Sequence, residues 1–495
     1  MVNINLTKGN VMDANIVVIG GGGAGLAAAV AAAEKGIKGI LLIERMKNVG
    51  GNSAMAGGLF GIESPIQKDL NINVKAEELF KIHMNHSHWV LNPKVVRSFI
   101  DKSGDTIRWL ADMGLIFKLL ETDVRPYEQD ERIFLGQKVP LTWHVPKGLG
   151  KEIVDTLLKK FQSLGGKVIY GLRAKEILME NGSIRGIIAE EKDKEINISA
   201  KVIIIATGGY GGNRELLKKW VPYYADSLHL IGFPNQGDGI LMAMKVGAAS
   251  EGIGILHLGP KHVPGEAHQI WVLSLQPNTI WINKRGERFA DESVLFNHFE
   301  LALAALRQPE GITYTFFDEK IKHKILETRV IRAGKLSRGK VLDEIELDDL
   351  IQSAANRGEN VKISNSVDDI ASWIGANQEI FKNTLNEYNS FCRNGYDKQY
   401  LKSPKYLQEI STPPYYAIKG VPRLYGTIGG IKVNEKMEVL NNKEGKIPGL
   451  FAAGIDTGGW ESEIYDAFLL GHALGFAINS GRIAGENAAE YLLKK

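Results

Sequence analysis

The chain has 495 residues, enough for about three domain-sized units. Its formal charge of +3 gives no strong pull toward nucleic acid or an anionic membrane surface, and neither is an expected partner. Hydrophobic residues at 44% and charged residues at 24% exclude disorder as the main state. A lone cysteine, Cys392, excludes an internal disulfide, a cysteine-based zinc or iron–sulfur site and a C-x-x-C-H haem attachment. That usage fits a reducing, cytoplasmic location. Glycine is the deviation: its 55 residues exceed ordinary usage, and they cluster.

Residues 16–33 carry no charge, but Gly20 to Gly23 are four consecutive glycines inside them. Glycine costs up to about 1 kcal/mol per residue in a helix, so the segment does not read as a membrane span. It reads as a strand over 15–19, a glycine turn and a helix over 26–35 stopped at Gly36. Gly20, Gly22 and Gly25 fit G-x-G-x-x-G. A second strand, 40–43, ends at Glu44, nineteen positions after Gly25. That is close to the spacing of about 20 for an acid that accepts from ribose hydroxyls. Gly20 makes the turn, Gly22 admits a pyrophosphate to the backbone, and Gly25 lets helix and strand pack. The helix N-terminus faces the anion. An acid at 44 suits an unphosphorylated adenosine ribose, which leaves NAD or FAD.

Further motifs follow in order. Arg45 precedes V-G-G-N-S-A-M-A-G-G at 49–58. Amphipathic helices are expected over 76–115, which contains T-I-R-W-L-A-D-M-G at 106–114, and over 149–162. His83, His86 and His88 read as a polar helix end, and no metal site is expected. A strand over 201–205 leads into A-T-G-G-Y-G-G-N at 206–213, and Gly237-Asp238-Gly239 precedes a helix ending near Gly247. P-G-L-F-A-A-G occupies 448–454 and G-R-I-A-G occupies 481–485.

In this order the motifs resemble the fumarate reductase/succinate dehydrogenase flavoprotein family, itself related to ketosteroid dehydrogenases. The resemblance covers nearly the whole chain. It implies an α/β fold: a discontinuous Rossmann-like FAD-binding domain, 1–225 and 416–495, with an inserted α+β capping domain, 226–415. It implies FAD as cofactor. Contacts are expected from Gly20, Gly22, Gly25, Glu44, Arg45, Gly50, Gly51, Asn52, Ser53, Gly57, Gly58, Ala174, Ala206, Thr207 and Gly208. Gly237, Asp238, Gly454, Asp456, Ala473 and Leu474 complete that set. Asn52 and Ser53 are expected to donate to phosphate or ribityl oxygens, and Gly50, Gly51, Gly57 and Gly58 to lie against the ring. Family members that tether the flavin use a histidine where this chain has Gly51, so binding is expected to be non-covalent. The helix beginning near Ala473 and Leu474 would aim its N-terminus at the flavin.

The substrate side departs from the family pattern. The arginine acid of the dicarboxylate reductases falls on Phe296, a second arginine on Phe468, and an active-site histidine on Tyr425. Losing both arginine forks weakens carboxylate binding. The expected activity is hydride transfer between flavin N5 and a C=C or CH–CH unit of a neutral, bulky or aromatic substrate, with the reductase direction favoured. A ketosteroid-type dehydrogenase and a non-redox FAD scaffold are the alternatives. Tyr425 is the first candidate for moving the proton, followed by His257, Tyr465, His472 and His298. Trp271, Trp281, Trp460 and Tyr465 are candidates for the pocket wall or for the core. No second nucleotide fingerprint and no haem or cluster motif is present, so a separate electron donor or acceptor is expected.

Overall fold

The computed structural model describes residues 11–120, 141–266, 268–296, 298–328, 344–463, 465 and 469–494. Ile16 to Ile19 are aliphatic and buried on both faces, as a central parallel strand requires. They belong to β1 (Val11–Ile19), which lies between β2 (Ile40–Glu44) and β3 (Lys194–Ile205). Both pairings are parallel, with Ile19 opposite Ile43 on one side and Ile205 on the other. A C-terminal strand, Lys446–Ala452, continues the sheet beside β3, with Ala452 opposite Ile205. Four strands therefore end at one edge, and the loops that follow them share one crevice. This is where open α/β sheets place ligands.

Helix α1 (Gly23–Glu34) is rich in alanine and buried from Gly23 to Ala33. Its small side chains let the C-terminal helix, His472–Leu493, lie directly on it. A Cβ at Gly481 would fall 2.1 Å from the Ala24 carbonyl oxygen, and one at Gly485 would fall 2.2 Å from that of Ala28. The G-R-I-A-G motif is thus a helix-contact motif. The expected helix over 76–115 is two helices, Ala76–His86 and Pro93–Asp112. Asn92 caps the second through the N–H groups of Lys94 and Val95, and Pro93 fits its first turn.

A second sheet of six strands is built around β5 (Tyr415–Ile431). Its first half pairs antiparallel with Thr313–Asp318 and Val361–Ser364, over a core that includes Ile280, Phe316, Phe317, Phe381 and Tyr388. Its second half pairs antiparallel with β4 (Ser250–His262). β5 stays in this sheet through Ile431, past the expected boundary at 415. The chain rejoins the first sheet at Glu438–Leu440. Among the described residues no helix is long and apolar enough to cross a membrane.

Candidate active site

The crevice at the strand ends opens into a cavity of about 640 Å³. Its wall includes Gly20 and Gly22 after β1, Glu44 and Arg45 after β2, Ala206, Thr207 and Gly208 after β3, and Gly454 after Lys446–Ala452. Gly50, Gly51, Asn52, Ser53, Gly57, Gly58, Ala174, Asp238, Ala473 and Leu474 also line it. Gly25, Gly237 and Asp456 do not reach the wall, and each has a structural task. A Cβ at Gly25 would sit 1.9 Å from the Gly20 carbonyl oxygen, so Gly25 holds helix to turn. Gly237 is left-handed (φ 82°) at the N-cap of helix Asp238–Lys245.

The cavity fits a dinucleotide. Gly20 is left-handed (φ 106°), with space for a Cβ closed by the Ala206 carbonyl. Gly22 instead faces open space: the nearest atom to its Cβ position is the Gly50 oxygen at 3.8 Å. The backbone at Gly22 is therefore bare toward the cavity. Two helix N-termini line the cavity, α1 at Gly22 and the C-terminal helix at Gly471. Neither N-cap residue caps its helix, but Ser53 Oγ takes the Gly23 N–H and the Tyr465 hydroxyl takes the Ala473 N–H, which leaves the remaining first-turn N–H groups for a ligand anion.

Several of the expected contact residues also have partners within the protein. Asp456 is fully buried, and its carboxylate accepts from the backbone N–H groups of Thr207, Gly208 and Gly209 and from the Thr207 hydroxyl. Burial pushes its carboxyl upward, and these donors oppose that. It shapes the 206–209 turn instead of meeting a ribityl chain. The Asn52 amide is already engaged: it donates to the Tyr425 carbonyl at 3.0 Å and accepts from Phe233 N–H at 2.6 Å. Gly57 and Gly58 make room for Trp143, whose ring atoms lie 2.7 and 3.0 Å from their Cβ positions. Glu44 remains at the wall and also braces the turn, accepting from Gly21 N–H and Met46 N–H at 2.8 Å each.

The far wall is aromatic. β4 and β5 pair His257 with Gly426 and Leu258 with Leu424, which leaves Tyr425 as an extra, unpaired residue. A bulge re-aims a side chain, and here it turns the Tyr425 ring over Gly259. His257 lies 5.2 Å from the Tyr425 ring and stacks on Tyr465. Burial, with a smaller push from His472 against a pull from Glu461, lowers the His257 pKa to about 3. The Tyr465 hydroxyl accepts from Ala473 N–H at 3.1 Å, in the first turn of the C-terminal helix.

His472 does not line the cavity. It is fully buried behind Tyr465, with ring centroids 4.0 Å apart. Its Nδ1–H donates to the Leu469 carbonyl at 2.6 Å, a group that can only accept. Its Nε2 is hydrogen-bonded to the buried Glu461 carboxyl. His472 thus backs Tyr465 from behind the cavity wall. Trp281 and Trp460 are fully buried core residues. Phe468 and the side chains of Phe296 and His298 lie outside the described residues.

Sequence reasoning missed Trp143, Arg173, Phe233 and Arg423, all on the wall. No local motif marks them; long-range pairing brings them in. His83 is buried, with Nε2 2.9 Å from the Trp460 carbonyl oxygen. Among the described residues no group of three or more metal-ligating side chains is present.

The FAD binding domain family matches residues 15–463. The vinyl phenol reductase of Lactiplantibacillus plantarum is 31% identical over 96% of both chains. A flavocytochrome c3 fumarate reductase in an open conformation superposes with a TM-score of 0.72 at 26% identity, over 97% of this chain and 79% of that one. The 3-ketosteroid-Δ4-(5α)-dehydrogenase of Rhodococcus jostii RHA1 shares the fold, with a TM-score of 0.72 at 23% identity over 97% of each chain.

Proposed function

The chain belongs to the FAD binding domain family and is an FAD-dependent oxidoreductase acting on C=C or CH–CH bonds; within that class we propose that it reduces the C=C bond of a bulky aromatic substrate that is not a dicarboxylate. The observation that carries this reading is the aromatic wall of Tyr425, His257 and Tyr465 in the cavity. Flat rings favour a flat, apolar ligand. Bound FAD supplies the hydride. Glu44 would accept from the adenosine ribose, the α1 N-terminus would hold the pyrophosphate, and the Ser53 hydroxyl would donate beside it. Binding is non-covalent, because Gly51 offers no nucleophile.

Tyr425 Oη would hold the proton that the substrate takes up. His257, neutral above about pH 3, serves as a stacking surface that excludes water and not as an imidazolium acid. Tyr465 keeps that surface in place, fixed by Ala473 in front and by His472 with Glu461 behind. The relative named for vinyl phenol reduction, similar over almost the whole chain, favours the reductase direction. The test is anaerobic: dithionite-reduced protein is mixed with 4-vinylphenol, enones, steroids and fumarate, and the return of the flavin absorbance is followed. Rapid return with an aromatic alkene supports the reading. Return with none of them favours an FAD scaffold.

A further inference from the structure

Among the described residues three arginines line the cavity: Arg45, Arg173 and Arg423. Two are engaged by the protein. Arg45 donates to the Pro234 carbonyl at 2.8 Å, and Arg173 grips Asp238 through two hydrogen bonds of 2.6 and 3.0 Å. Arg288 and Arg307, outside the wall, are paired with Glu292 and Asp397 and with Glu463. Like Arg45, Arg423 pairs with no carboxylate among the described residues; unlike Arg45, whose guanidinium donates to the Pro234 carbonyl and to Asn235 Oδ1, it meets no protein oxygen there. Its Nη2 lies 3.0 Å from His262 Nδ1, and its guanidinium lies 4.5 Å from the Trp271 ring centroid. Its Nε is buried and has no hydrogen-bond partner among the described residues.

These contacts hold the guanidinium without neutralising it. His262 is kept neutral by burial, with smaller contributions from Arg423 and His229 that lower its pKa to about 4. Its Nδ1 therefore accepts from Arg423. Trp271 offers a flat face to a flat cation. The buried Nε is closed to a ligand, but the part of the guanidinium that faces the cavity carries a charge no protein carboxylate among the described residues offsets, and a ligand oxyanion there would offset it. Arg423 stands two positions from Tyr425 on β5. That is about 7 Å along a strand, comparable to the span of a benzene ring with its para substituent.

We propose that Arg423, seated on Trp271 and His262, binds an oxygen of full or partial negative charge, a carboxylate or a phenolate, at the end of the aromatic substrate remote from its C=C bond. The proposal rests on the aromatic-alkene reading above and supplies the polar end of that substrate. One guanidinium takes one oxyanion, so the subsite selects arenes with a single polar end.

The test uses oxidised, FAD-loaded enzyme and three saturated probes: 4-ethylbenzoate, 4-ethylphenol and ethylbenzene. Calorimetry reads their affinities. One or both oxygenated probes should bind at least about tenfold tighter than ethylbenzene. The stronger of the two identifies the oxygen as carboxylate or phenol. In Arg423→Gln the oxygenated probes should fall to within about threefold of ethylbenzene, with FAD content unchanged. Arg423→Lys should keep part of the preference, because charge survives where the fork is lost. Equal affinities for all three probes in the wild type would overturn the subsite, even if aromatic alkenes reoxidise the reduced enzyme. Selective probe binding with no reoxidation by any aromatic alkene would keep the subsite and sink the reductase reading. Loss of FAD from both variants would assign Arg423 to the cofactor and overturn the proposal.

Discussion

The imidazole of His257 stacks on the phenol ring of Tyr465, with centroids 4.4 Å apart and planes 14° from parallel. The stack buries a titratable ring, and burial holds its pKa at about 3. His144 is a second such case. It is fully buried, held at about 4 by burial, with Nε2 2.7 Å from the Ser64 hydroxyl and Nδ1 3.0 Å from the Thr142 carbonyl oxygen.

A stability prediction follows from the sign of these shifts. In the unfolded chain a histidine titrates near about 6.5, and between there and its folded pKa only the unfolded state takes the proton. The contribution is complete above that pH and is lost as pH falls toward 3 to 4. From about pH 7 to pH 5, each group should cost on the order of 2 kcal/mol. Melting temperature of the FAD-loaded protein should drop over that range, and His144→Gln should flatten the slope. A melting temperature unchanged from pH 7 to 5 would contradict it.

Tyr425→Phe should leave FAD bound and slow single-turnover reoxidation by the true substrate by about 10²–10⁴-fold. A packing hydroxyl should cost roughly tenfold or less. A rate within about threefold of wild type would remove Tyr425 from proton transfer and turn attention to Tyr465.

Two alanine substitutions separate folding from cofactor binding. In Gly25→Ala the new methyl meets the Gly20 carbonyl at 1.9 Å, so stability should fall by about 1–3 kcal/mol or more. In Gly22→Ala it meets no atom closer than 3.8 Å, so the fold should survive. The methyl then stands where a pyrophosphate would approach, and FAD affinity should drop. Thermal melts of the apoprotein and flavin titrations read the two effects. Equal FAD affinity in Gly22→Ala and wild type would refute the role given to Gly22.

Heat or acid should release all flavin as free FAD, because Gly51 stands at the position of the family's tethering histidine. Flavin that stays with the precipitate would show a covalent link through another residue.

Fumarate should be a poor substrate. Position 425 is a tyrosine, and Arg288 is committed to Glu292 and Asp397 in the cap core, with 1% side-chain exposure. Turnover of fumarate at a rate matching the best aromatic alkene would mean that Arg423 can serve a dicarboxylate unaided.

What the sequence made legible was local. Gly20, Gly22, Gly25 and Glu44 act within one strand–turn–helix–strand unit, so their spacing carries their roles. The residues that stayed hidden depend on pairing across hundreds of positions. Tyr425 is a candidate by its motif, but the bulge that aims it arises only when β4 and β5 pair. Arg423 reads as one more exposed cation on a strand until His262 and Trp271 close around it. Asp456 is expected from its place just after A-A-G, but only the fold shows that the N–H groups of the 207–209 turn engage its carboxylate.

Asn52 ties α2 (Gly51–Met55), beside the first sheet, to two backbone points of the second. Its carboxamide joins Phe233, just after the strand His229–Leu230, to Tyr425 within β5, and it is itself part of α2. Any rocking of the second sheet over the first must therefore pull on α2, whose residues Gly51 to Ser53 and Met55 face the cavity. The colour and fluorescence of bound FAD should therefore shift with cap position, and Asn52→Ala should uncouple the two, read by flavin fluorescence during substrate titration.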